Sequence, residues 1–152
     1  MVAVCAGERR GEGKVDVGRG YLREGYGLVG DAHAGPGDRQ VSLIALADVE
    51  SAASAIGLPA GPGDFAANIG IDGLNLAGLP PGTRLRVGEA VLVVTHIGKK
   101  NVGPHHFSLH GIALLVERGV FCRVLRSGWV QKGDPAFVET EASPQDEGLA
   151  SR

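Results

Sequence analysis

Aromatic residues make up only 5% of the chain, with a single tryptophan. A surface that stacks bare nucleobases needs more of them, so a base-stacking platform is excluded. An excess of positive charge is also missing. The formal net charge is −2, whereas a general nucleic-acid binder is usually basic, so no nucleic-acid partner is expected. Cysteine is limited to Cys5 and Cys122. Two cysteines imply no disulfide framework, and a reducing cytoplasm is the expected location. No apolar run approaches the ~20 residues that cross a bilayer, so no membrane partner is expected. The opening stretch, Met1 to Lys14, has no long apolar segment after its charges and does not read as a signal peptide.

Glycine is what the chain has in excess. There are 25 in 152 residues, roughly twice the average usage. Glycine weakens helix interiors and permits positive-φ turns, so the excess predicts many short strands joined by tight turns. The length fits one domain with a single core. The reading is a domain over residues 1–141, followed by a polar tail over 142–152 that is expected to be disordered.

Local patterns fill in that outline. Met1 to Cys5 is a short apolar opening strand, and Glu8 to Lys14 is a charged, glycine-broken loop. Gly25 to Gly37 contains five glycines and few core candidates. The run Val41 to Ala45 is a plausible buried strand. Asp48 sits as an N-cap before Val49 to Ile56, the clearest helix, with Gly57 as its stop. Pro59 to Gly63 reads as a turn and Phe65 to Ile69 as a short strand. Arg84 to Val87 alternates polar and apolar, and Gly88-Glu89 connects it to the strongly β run Ala90 to Ile97, predicting a hairpin. Ile112 to Glu117 is a turn or two of helix. Val120 to Leu125 is a strand, Ser127-Gly128 a turn, and Ala136 to Glu141 a last strand. The fold class is mainly β: a closed or nearly closed β-barrel with one or two short helices.

Three polar clusters flank apolar strands, where loops present binding groups on a rigid scaffold. In the first, Gly30-Asp31-Ala32-His33-Ala34-Gly35 precedes Asp38-Arg39-Gln40. Asp31 supplies an acceptor, His33 a titratable ring, and Arg39 a planar fork for phosphate or carboxylate. For this segment alone, an Asx-closed turn with a surface arginine is the favoured reading. The second cluster, Pro62-Gly63-Asp64-Phe65-Ala66-Ala67-Asn68-Ile69, places Asp64 at a turn and Asn68 within reach of backbone or ligand; alone, it also favours a structural role. The third runs from Thr95-His96-Ile97-Gly98-Lys99-Lys100-Asn101 to His105-His106. Lys99 and Lys100 at a strand end allow an anion site. His106 and His110 have i, i+4 spacing, which suits zinc only if the segment is helical. Gly103-Pro104 and the absence of HExxH or Cys-x-x-Cys argue against it, so no metal ligands are assigned.

The colinear order of these segments resembles the stand-alone MOSC proteins, named for the C-terminal domain of molybdenum-cofactor sulfurases. The resemblance continues through Leu79 to Gly82, Leu85 to Ala90, Val94 to Lys99, Arg118 to Val124 and Gly133-Asp134, so it runs from about residue 2 to 140. It implies a MOSC-type β-barrel whose pocket binds the molybdenum cofactor (molybdopterin) or a related anionic, sulfur-containing small molecule. By resemblance, Asp31, His33, Arg39, Gln40, Asp64, Asn68 and Lys99 line that pocket, with Asn101 beside them. Sulfur transfer or carbon–sulfur bond cleavage is the implied chemistry, with a sulfur-donor protein as a possible partner.

Two positions depart from the family pattern. After Ile-Gly-Lys the family commonly has a cysteine proposed to carry sulfur, and this chain has Asn101, whose amide cannot form a persulfide. Ala67 stands where glutamate is usual. Cys122 is the substitute to weigh, but it alternates onto the apolar face of Val120 and Val124, which favours an inert core residue. With no thiol at the usual place, His33, His105 and His106 join Cys122 as catalytic candidates. The alternatives are a non-catalytic molybdopterin or metabolite carrier and a histidine-ligated metalloenzyme. Ligand identity, catalysis and oligomeric state stay open.

Overall fold

The computed structural model describes residues 1–9, 12–98 and 108–139. In chain order the strands are β1 (Ala3–Ala6), β2 (Val15–Asp16), β3 (Arg19–Arg23), β4 (Gly27–Leu28), β5 (Val41–Ala45), β6 (Ile69–Ile71), β7 (Arg84–Val87), β8 (Ala90–Ile97), β9 (Val120–Arg126), β10 (Gly128–Gln131) and β11 (Ala136–Val138). Two α-helices interrupt them, α1 (Leu46–Ile56) and α2 (Leu114–Arg118). The mainly β expectation holds.

Eight strands form one sheet in the order β11-β7-β8-β9-β5-β6-β1-β2, and three form a second in the order β10-β3-β4. Among the described residues, no ladder joins β11 to β2, so hydrogen bonds do not close the large sheet. The expected β7–β8 hairpin is present, with Arg86 opposite Val91 and Val87 opposite Ala90. β5 pairs parallel to β6 and antiparallel to β9. A central strand buried on both faces reads as a near-continuous apolar run, as Val41 to Ala45 does.

Alternation along β5 and β9 divides the interior. Leu43, Val120 and Cys122 join a core filled from both sheets by Leu22, Leu28, Val130, Ile69, Leu85 and Leu92. Ile44 and Phe121 point the other way and pack with Val49 of α1, Leu114 and Leu115 of α2, and Phe65. The small sheet therefore covers one face of β5–β9, and the helices cover the other.

Several local expectations are corrected. α1 begins at Leu46, two positions before Asp48, because β5 runs directly into it through Ala45. Asp48 sits in the first turn, where a carboxylate favours the helix dipole, and accepts from Arg118 Nε of α2 at 3.2 Å. Gly57 ends α1 as expected, with φ 71° and its amide donating to Ala53 and Ser54. Pro62–Phe65 is a 3-10 turn, and the strand starts only at Ile69. β10 replaces the turn read at Ser127-Gly128, and β3 and β4 were not foreseen. The glycine at 128 hid β10. A Cβ there would collide with the Glu89 backbone, so the residue is set by close approach and carries no β propensity.

Candidate functional site

The candidate site is built on the loop between β4 and β5. Its first half is held tightly. Asp31 donates its amide to Leu28 O at 3.0 Å, and Ala32 donates to Gly7 O at 2.7 Å. The Asp31 side chain is completely buried and faces Lys14, the end of the segment read as a charged, glycine-broken loop. Lys14 Nζ lies 2.7 Å from Asp31 Oδ1, with side-chain exposures of 1% and 0%.

A buried charge pair survives only when its remaining polar atoms are satisfied. Here Asp31 Oδ1 also accepts from the Gly7 amide at 3.0 Å, and Oδ2 accepts from the His33 amide at 3.1 Å. Burial alone raises the Asp31 pKa. The Lys14 hydrogen bond, the Gly7 amide, the Lys14 charge and Asn68 together outweigh it, leaving the carboxyl below the usual range. Lys14 is brought there by its own backbone, whose amide donates to Gly63 O at 2.7 Å. Gly63 must be glycine, since a Cβ would run into the Lys14 carbonyl and crowd Cys5 Sγ.

His33 sits where this buried pair meets the surface. Its side chain is 37% exposed, and Nδ1 lies 3.0 Å from Lys14 Nζ and 3.9 Å from Asp31 Oδ2. At the far end of the loop Arg39 is exposed, with its guanidinium 5.6 Å from the centre of the Phe121 ring. Such stacking holds the fork in place without removing it from water.

Asn68, Gln40 and Asp64, three of the other expected ligand-binding residues, make hydrogen bonds within the fold. Asn68 is 1% exposed. Its Oδ1 accepts from the Ser42 amide at 3.0 Å and Nδ2 donates to Cys5 O at 3.1 Å, tying β5, β6 and β1 together. Gln40 is also buried, and its Oε1 accepts from the Val124 amide at 2.9 Å, extending the β5–β9 pairing past Val41. Among the described residues, its Nε2 has no hydrogen-bond partner. Asp64 is exposed but closes its own turn, accepting from the Gly61 amide at 2.7 Å. Lys99, Asn101, His105 and His106 lie outside the described residues.

Neither thiol is placed to react. Cys122 is fully buried in the core, and burial pushes its pKa far up. Cys5 is 1% exposed. Burial, then the charges of Asp16 and Asp64, push its pKa up to about 12 against the Gly63 hydrogen bond and Lys132. A thiolate is the nucleophilic form, so burial and the raised pKa both disfavour reaction at either thiol in the folded protein. Among the described residues, no group of three or more His, Cys, Asp or Glu side chains could hold a metal ion. No described helix is long and apolar enough to cross a membrane.

Residues 30–99 match the family model of the MOSC domain. Over that segment the chain is similar to a MOSC domain. The matched segment contains Asp31, His33, Arg39, Gln40, Asp64, Asn68 and Lys99, the pocket set that the resemblance implied. The architecture is similar to that of the YuaD protein from Bacillus subtilis, at 20% identity and a TM-score of 0.69, covering 88% of this chain and 91% of that one. It is also similar to YiiM from Geobacillus stearothermophilus, at 15% identity, TM-score 0.68 and coverage of 95% and 76%. YiiM from Escherichia coli aligns at 24% identity, TM-score 0.61 and coverage of 93% and 69%. No curated protein matches the chain.

Lys14 lies outside the matched MOSC segment, and sequence reasoning missed it. Nothing local marks a lysine for burial. The Asp31 carboxylate, held by the Gly7 and Leu28 backbone, compensates the ammonium that Gly63 O holds in place through the Lys14 backbone.

Proposed function

We propose that this MOSC-like domain binds an anionic, sulfur-containing small molecule, of which the molybdenum cofactor is one form, at the surface where His33 and Arg39 flank the loop before β5. The observation that carries the reading is Arg39, an exposed guanidinium stacked over Phe121 within the MOSC-matched segment. A planar fork held this way suits a bidentate oxyanion.

The molybdenum cofactor fits this surface in part. Arg39 and His33 suit its phosphate. Asp31 and Asn68, two polar members of the expected pocket set, are already bonded inside the fold. Neither described thiol is available to its metal. When bound, the cofactor would supply the redox and sulfur-ligand chemistry, while this chain would bind and orient its anionic end. Two buried thiols favour a carrier over a persulfide relay through Cys5 or Cys122. If the protein turns over, with sulfur transfer or carbon–sulfur cleavage, proton transfer falls to His33, His105 or His106. A single cytoplasmic domain over residues 1–141 completes the reading.

The test uses thiosulfate, the smallest sulfur-bearing oxyanion, and a pterin phosphate as calorimetric titrants. Both are expected to bind, with Arg39→Ala weakening them about tenfold or more, the loss of a charge-assisted pair. Failure of both to bind the wild type rejects the reading. Pterin fluorescence released when untagged protein is denatured would identify the cofactor form; a released ligand with no pterin would identify another anion.

A further inference from the structure

The contact between Lys14 and His33 determines what the ring can offer. An ammonium has three hydrogens and no lone pair, so it only donates. Lys14 Nζ directs one hydrogen to Asp31 Oδ1 at 2.7 Å and another to His33 Nδ1 at 3.0 Å. As an ammonium, Lys14 compensates the buried Asp31 carboxylate. Nδ1 therefore accepts, and in the neutral ring the hydrogen sits on Nε2. Asp31 Oδ2, at 3.9 Å from Nδ1, is beyond hydrogen-bond range. The familiar alternative, a carboxylate holding an Nδ1–H and making Nε2 a base, is displaced by the lysine between them.

We propose that Lys14 is a positioning residue that locks His33 in the Nε2–H tautomer, so that the ring meets its ligand as a hydrogen-bond donor and not as a base. The inference rests on the reading of His33 as a ligand-facing group and narrows it. Whatever meets Nε2 must present an acceptor: an oxyanion, a carbonyl oxygen or a thiolate. Among the described residues, Lys14 and Asp31 face the ring with opposite charges, so the pair brings no net charge to it and Arg39 contributes charge to the ligand.

The tautomer is read directly from the ring nitrogens by histidine-selective ¹⁵N nuclear magnetic resonance on the full chain without ligand, with His33 assigned by loss of its signals in His33→Gln. The expected result is an unprotonated Nδ1 and a protonated Nε2 in the wild type, retained in Lys14→Arg, which still donates. The double variant Lys14→Met with Asp31→Leu removes both charges together and so avoids an unpaired buried ion. In it the two nitrogens are expected to move toward averaged shifts. A proton on Nδ1 in the wild type overturns the proposal, as does a ring unchanged in the double variant. Thiosulfate titration reads the anion site separately. Binding without the lock overturns only the tautomer, whereas the lock without binding supports it and rejects the ligand reading.

Discussion

Asp31 and Arg39 stand near the two ends of one glycine-rich loop, the first sealed beneath the surface and the second in solvent. Both bear charges and both read as ligand contacts in the sequence. Asp31 is surrounded by an ammonium and two backbone amides, and Arg39 has an aromatic ring behind it and water in front. The first arrangement anchors the loop and the second leaves a charge to spend on a ligand. His33 lies between them, with its ring half in each environment. A polar motif can therefore be part scaffold and part site, and burial of its charges separates the two.

The largest expected effect tests the buried end. Lys14→Met alone, or Asp31→Ala alone, strands a charge and is expected to cost about 3–5 kcal/mol in denaturant unfolding. Lys14→Met with Asp31→Leu is expected to recover most of that loss. Single variants within about 0.5 kcal/mol of wild type would show that the pair does not anchor the loop. The same carboxylate has a signed pH dependence. Its folded pKa is lowered, so its stabilisation is present above the usual carboxylate range and is lost as pH falls through the folded value. Acid unfolding should therefore shift in Asp31→Asn.

Asn68→Ala comes next, at about 1–3 kcal/mol, because it leaves the Ser42 amide and the Cys5 carbonyl without partners in the interior. A smaller loss would mean that water replaces the side chain, and thermal melting decides it. The thiols follow. Both have raised pKa values, so the unfolded chain releases their protons first, and stability falls as pH rises above about 9, by roughly 1.4 kcal/mol per pH unit for each thiol. Cys5→Ala should flatten that slope between 9.0 and about 12. In native protein near neutral pH, maleimide labelling is expected only at the rate of unfolding; rapid labelling of either cysteine would revive it as a nucleophile.

The smallest stability effect belongs to the exposed end. Arg39→Ala is expected to change unfolding by no more than about 0.5 kcal/mol while weakening anion binding. If it destabilises as Asp31→Ala does, the contrast between the two ends collapses.

Much of the β architecture was legible in the chain. The apolar run of β5, interrupted only by Ser42, read as a buried strand, the alternation in β7 announced its hairpin with β8, and Gly57 marked the end of α1. Cys122 was readable as an inert core residue from its place between Val120 and Val124. β3, β4 and β10 were missed because glycines at 20, 27 and 128 replace the side chains that would have signalled strands. The motif Gly30 to Gly35 pointed to the loop that holds Asp31 and His33, and Asp64, also read as a ligand contact, closes the turn expected of it.

By itself the sequence determined the fold class, the family resemblance and the absence of a thiol at position 101, because periodicity, colinear motifs and residue identity are local properties. Tertiary structure decided which polar groups remain for a ligand. Whether a charge is buried, paired or exposed depends on residues distant in the chain. Asp31 met Lys14, Asn68 was consumed by Ser42 and Cys5, and His33 was left at the boundary with its proton placement set by a lysine that no pattern had marked.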